Sequence, residues 1–148
     1  MMAKNSVLKP KDCACFNIRK TARVLTQEYD HAIVSSGLKT TQFTALAVLD
    51  ELGSMSITEL AEAMEIERTS LTRNLAVLQR DGLVTVLHGR DARTRVVDLT
   101  PAGKRKFDES ILLWNIAQAR LVDRFGRKRY DSLRKELEDL RVAVRSAG

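Results

Sequence analysis

Apolar positions recur at helical spacing over most of this chain, and the interruptions are as informative as the runs. From about Asp12 to Val34, Cys15, Ile18, Ala22, Leu25, Tyr29, Ala32 and Ile33 trace one long helix, which Ser35-Ser36-Gly37 ends. Thr40 or Thr41 can cap a second helix carrying Phe43, Leu46, Ala47 and Leu49 as far as Gly53. Ser56-Ile57-Thr58-Glu59 then fits a capping box, in which the Ser and Glu side chains each satisfy an amide at the start of a helix. That short helix stacks Ile57, Leu60, Ala61 and Met64 on one face and stops near Glu65-Ile66. The next begins at about Glu67-Arg68, places Leu71, Leu75 and Leu78 in line, and ends at Asp81-Gly82, where Gly82 suits a left-handed cap.

The period then changes. Leu83–Leu87 reads as a strand and Arg95–Leu99 as its returning partner, with the polar loop His88-Gly89-Arg90-Asp91-Ala92-Arg93-Thr94 between them. Thr100-Pro101 restarts a helix, with Thr as N-cap and Pro where its missing N–H costs nothing. This helix runs from Ala102 to about Phe125 through Phe107, Ile111, Leu112, Trp114, Ile116, Leu121 and Val122. After Gly126, a last helix to about Arg145 aligns Tyr130, Leu133, Leu137, Leu140 and Val144. The fold class is therefore mainly α with a small β-hairpin. Helix, turn, helix and hairpin "wing" in that order are the layout of a winged helix-turn-helix DNA reader.

The helix starting at Arg68 turns a polar face away from its leucines: Arg68, Thr69, Ser70, Thr72, Arg73, Asn74, Gln79 and Arg80. Arg suits guanine, Asn and Gln suit adenine, and hydroxyls serve bases or phosphates. For an isolated amphipathic helix, such a face is merely solvated. Charge placement changes the balance. The 148-residue chain carries a formal net charge of +6, and five of those six charges fall between Ile66 and Lys106, where nine Lys/Arg face four acids. Positive charge concentrated on one segment is what a phosphate-facing surface requires. The wing adds Arg90, Asp91, Arg93 and Arg95 to the candidate contacts. The competing reading from another class is a protein-interaction module that binds no DNA, but protein interface cores are normally depleted of charge.

Asp91-Ala92-Arg93, followed by Val97-Asp98-Leu99-Thr100-Pro101-Ala102-Gly103, resembles the DxR…LTxxG signature of the MarR family of bacterial transcription regulators, and the likeness extends over nearly the whole chain. The resemblance implies a dimer that places one recognition helix per subunit, here Arg68 to Arg80, in the major groove. It implies Arg93 in the minor groove, with Asp91 helping to hold basic side chains. It also implies a small aromatic effector bound between the dimer helices and the reader, for which Arg19, Arg23, Tyr29, His31 and Trp114 are candidates. Taken singly, each of these has interface packing or solvated charge as its ordinary role.

The first and last helices offer more apolar surface than a small reader can cover. Interleaving with a second subunit would bury it, and a two-fold dimer could set two readers about 34–36 Å apart on a palindrome. The chain then divides into a helical dimerisation region, residues 1–36 and 104–148, and a reader, residues 37–103.

Other chemistry finds little support. His31 and His88 belong to unrelated elements, and no zinc spacing, phosphate loop or nucleophile elbow is present, so neither an enzyme nor a cofactor is expected. No apolar run approaches the roughly 20 residues of a membrane span. The first dozen residues read as a loose arm, and without an apolar segment no signal peptide is expected, which points to the cytoplasm. Cys13-Ala14-Cys15 fits reduced thiols better than a disulfide scaffold. If both lie on a helix, they point about 200° apart and do not readily bridge. Cys15 reads either as a small packed hydrophobe or as an oxidant-sensing thiol beside Arg19 and Lys20. The segment from Cys15 to Tyr29 resembles the first helix of the organic-hydroperoxide-sensing MarR branch, with Cys15 at the peroxidatic position and Tyr29 at an activating tyrosine. Arg19 stands where that branch has another tyrosine, and a third, near Thr40, is missing.

Overall fold

The structure, a computed structural model, describes residues 9–146. Of the arm expected over the first dozen residues, 1–8 lie outside the described residues, and Pro10–Asp12 winds into a 3-10 turn. Helix α1 spans Ala14–Ala32. A 3-10 turn at Val34–Ser36 leads to Gly37, whose φ of 77° is left-handed. Helix α2 (Thr40–Leu52) starts without the expected threonine cap. Lys39 is the N-cap residue, its N–H donates to Gln42 Oε1 (2.9 Å), and the Thr40 N–H donates to Asp30 Oδ1 of α1 (2.6 Å). A carboxylate from the preceding helix does the work assigned to a hydroxyl, and the Thr40 Oγ1 is buried without a partner.

Strand β1 (Met55–Ser56) precedes α3 (Ile57–Met64), and the capping box forms as predicted: Glu59 N–H donates to Ser56 Oγ (3.1 Å) and Ser56 N–H to Glu59 Oε2 (2.7 Å). Glu65, at φ 52°, makes the left-handed turn into α4 (Arg68–Arg80). Strands β2 (Val84–His88) and β3 (Arg95–Leu99) pair antiparallel, from Val84 opposite Leu99 to His88 opposite Arg95. The sheet has three strands where the alternation predicts two, because β1 adds to β3 with Met55 opposite Val97. Two residues are too few to show a period.

Helix α5 (Pro101–Phe125) begins at a cross-braced joint. The Thr100 hydroxyl donates to the Gly82 carbonyl (2.7 Å) and accepts the Gly103 N–H (2.9 Å), while the Thr100 N–H donates to the Leu83 carbonyl (3.1 Å). A Cβ on Gly103 would lie 2.0 Å from the Leu83 oxygen. The threonine and glycine of the Leu-Thr-x-x-Gly run thus lock the start of the wing to the start of α5. Helix α6 (Arg127–Ser146) completes the chain.

The core is centred on α2, α3, α4 and the sheet: Leu46 of α2, Leu60 of α3, Leu71 and Leu78 of α4, Val84 of β2 and Val97 of β3 are fully buried, and Ile33 after α1 joins them. Phe43 and Phe107 tie α2 to α5, with ring centres 5.5 Å apart. Trp114 extends the stack to Tyr29 of α1, at 5.8 Å from Phe43 and 5.3 Å from Tyr29. Neither α1 nor α6 contributes a buried residue. The molecule is a mainly helical winged helix-turn-helix with a small antiparallel sheet.

Candidate nucleic-acid interface

Burial of Leu71, Leu75 and Leu78 orients α4 so that Arg68, Thr69, Ser70, Thr72, Arg73, Gln79 and Arg80 are exposed together. Three of the predicted contacts are engaged locally. Asn74 is half-buried: its amide donates to the Ser70 carbonyl (3.1 Å), and its oxygen accepts from the Thr41 hydroxyl of α2 (3.3 Å). It braces two helices instead of standing free on the polar face. The Thr72 hydroxyl donates to the Arg68 carbonyl (2.8 Å), and Arg80 pairs with Asp81 (3.2 Å).

The wing tip is shaped by its own backbone. Gly89 N–H donates to the Thr94 carbonyl (2.7 Å), and Thr94 N–H to the Asp91 carbonyl (2.9 Å). Asp91 Oδ1 accepts the Arg93 backbone N–H (3.1 Å), so it sets the turn, not the guanidinium that the family resemblance implies it holds. Arg90, Arg93 and Arg95 are all exposed.

The positive segment is less uniform than its charge count implies. Lys104 is held by both Asp108 and Asp50 at 2.8 Å, hydrogen bonds that push its pKa up, the one to Asp108 most, and Lys106 lies 4.0 Å from Glu109. Among the described residues, Arg68, Arg73, Arg90, Arg93 and Arg95 form no ion pair. These five, on α4 and the wing, are with Arg105 of α5 the charge of this segment left for a partner. A cleft of about 280 Å³ lies where the two elements meet, lined by Arg68 of α4, Arg93 to Arg95 of the wing, and Ser56 to Thr58 at the start of α3. Ser56 escapes sequence reading as a site residue because its capping role accounts for it, and Thr58 carries no signal beyond its place in the first turn of α3.

Of the candidate effector residues, Tyr29 and Trp114 come together and the others do not join them. Tyr29 is stacked on Trp114, and its hydroxyl donates to Gln118 Oε1. Gln118 in turn donates to the Tyr130 hydroxyl at 2.7 Å, which joins α1, α5 and α6. Burial first, and then the neighbouring Tyr130, raise the Tyr29 pKa. Arg19, Arg23 and His31 are exposed elsewhere on α1. Gln118 and Tyr130 have no signal in the sequence beyond their helical positions.

The cysteines also differ from expectation. Cys13 is the extended N-cap of α1, not a helical residue, so the opposed geometry of two residues within one helix does not apply to the pair. Cys15, in the first turn, is exposed, which contradicts core packing in the single chain. No group of three or more His, Cys, Asp or Glu among the described residues could hold a metal ion, and none of their helices is long and apolar enough to cross a membrane.

Two helices under a three-stranded sheet, with a free arginine face shared by α4 and the wing, define a winged helix-turn-helix regulator. Residues 36–94 match the model of the MarR family. Over 91% of this chain and 98% of the other, the fold superposes with a TM-score of 0.82 and 39% identity on the M. tuberculosis transcriptional regulator MosR, solved in complex with DNA. An uncharacterised helix-turn-helix regulator of Bacillus subtilis, YwoH, is 27% identical over 62% of this chain and 67% of its own length. The repressor MdtR of the same organism is 28% identical over 69% of each. The chain belongs to the MarR family, whose members are transcriptional regulators and not enzymes.

Proposed function

We propose that this chain is a repressor that binds a palindromic operator as a homodimer, with α4 of each subunit in a major groove and Arg93 of each wing in the adjacent minor groove. Residues 37–103 are the reader in this arrangement, and residues 1–36 and 104–148 are the dimer region. The observation that carries the reading is the set of five arginines on α4 and the wing that have no acidic partner among the described residues, since bare guanidiniums on one surface are the complement of a phosphate backbone. Repression is carried over from the repressor MdtR, and DNA as partner from MosR. Exposed apolar residues on the outer helices, including Leu112 (65%) and Val144 (68%), support the dimer.

Arg93→Ala tests the assignment. Operator affinity should fall about tenfold, and the slope of log K against log salt should fall by about 0.9 if the side chain neutralises one phosphate equivalent. Wild-type affinity in that variant would remove the wing from the interface. Absence of binding to any duplex at low salt would favour a protein-interaction module.

Release follows when an effector favours a dimer whose reader spacing misfits the operator. Two inputs fit this scheme, a small aromatic ligand and an oxidant. The exposed Cys15, one turn from Arg19, favours the oxidant as a second reading. Hydroperoxide should then release the operator from wild type and leave Cys15→Ser bound; release of both would end the thiol reading.

A further inference from the structure

We propose that the cleft between α3, α4 and the wing seats one phosphodiester of the DNA backbone, on the strand that separates the groove read by α4 from the groove entered by the wing. This rests on the DNA-binding reading above. Arg68 reaches the cleft from the first residue of α4, and Arg93 and Arg95 reach it from the wing. Three arginines line one cleft of about 280 Å³ and no carboxylate does, so the cleft is positively charged. The nearest acids along the chain are Glu59, Glu67 and Asp91. Glu59 is engaged with the Ser56 N–H, Asp91 with the Arg93 N–H, and Glu67 is the exposed N-cap of α4 and pairs with none of the three.

The remaining polar groups are donors suited to an anion. Ser56 Oγ accepts the Glu59 N–H, which leaves its own proton free to donate outward, and Thr58 and Thr94 add two more hydroxyls. Guanidiniums and hydroxyls together are the usual partners of phosphate oxygens. Position identifies which phosphate. Adjacent major and minor grooves are divided by a single sugar-phosphate strand, so a duplex that receives α4 and the wing at once must lay that strand over the junction between them. The cleft is that junction. Contacts there fix register without reading sequence, which makes Ser56 and Thr58 positioning residues for the reader.

A set of operator duplexes, each with one phosphate replaced by a neutral methylphosphonate, tests the proposal with the full chain. Wild type is compared with Thr58→Val and Arg68→Gln, each checked for an unchanged thermal melt. One replacement per half-site should weaken wild type about tenfold while weakening both variants less than about twofold, the signature of a coupled pair. Flanking replacements should act alike on all three proteins. If every replacement acts alike on wild type and both variants, the cleft seats no backbone phosphate. If inorganic phosphate, at matched ionic strength, releases the operator from wild type but not from Arg68→Gln and no replacement couples, the cleft belongs to a free anion and the proposal fails. Failure of wild type to bind any duplex would overturn the DNA reading and this inference with it, a result separate from binding without coupling.

Discussion

Helices α4 and α6 are both basic and amphipathic, yet they stand in opposite situations. α4 buries Leu71, Leu75 and Leu78 against the rest of the reader. α6, with Leu133, Leu137, Leu140 and Val144 at similar spacing, has no fully buried residue. Periodicity therefore reports that a helix has an apolar stripe, not whether the stripe is satisfied within the same chain. Within one chain α4 has its apolar stripe covered, while α1 and α6 leave theirs largely open.

That contrast can be broken most severely at the joint between the two regions. Gly103→Ala would drive a methyl group into the Leu83 carbonyl, and a loss of roughly 3 kcal/mol in urea unfolding is expected from overpacking a site with no room to yield. An unchanged midpoint would mean that wing and α5 are not pressed together. Next, Leu140→Asp combined with Val144→Asp should convert the proposed dimer to a monomer in sedimentation while the reader keeps its fold, since neither side chain is buried within the chain. Loss of the whole fold would show that the reader is not self-sufficient.

A smaller effect sharpens the comparison where α1 meets α5. Tyr29→Phe removes the hydroxyl that donates to Gln118 and should cost about 1 kcal/mol, read from thermal unfolding. The smallest concerns the reader alone. Hydrogen bonds from Ser56, the backbone one first, hold the Glu59 carboxyl below the usual carboxylate range. Its contribution is thus complete above that range and is lost as pH falls through the lowered value. The gap in melting temperature between wild type and Glu59→Ala should persist at neutral pH and close in acid; a gap that survives into strong acid would contradict the cap.

Features decided by neighbours in sequence were legible. The Ser56–Glu59 box, the left-handed Gly82 and the Thr100-Pro101 start each depend on a few consecutive residues. Features decided across the fold were not. Nothing near Thr40 announces that Asp30 caps α2, and nothing near Asn74 announces Thr41. Likewise, a count of charges between Ile66 and Lys106 cannot know that Asp50, far back in the chain, holds Lys104. The candidate interface was therefore readable as a list of exposed residue types on α4 and the wing. Its cleft, made by three separate segments, was not.

The carboxylate of Asp30 gives the first turn of α2 a dependence on α1. A helix end needs partners for its leading amides, and here one of those partners is supplied from outside the reader. Any displacement of α1 that withdraws Asp30 leaves the Thr40 N–H open to solvent. Hydrogen exchange at that single amide is thus a gauge, built into the backbone, of how far a disturbance among the outer helices has travelled toward the surface that carries the arginines.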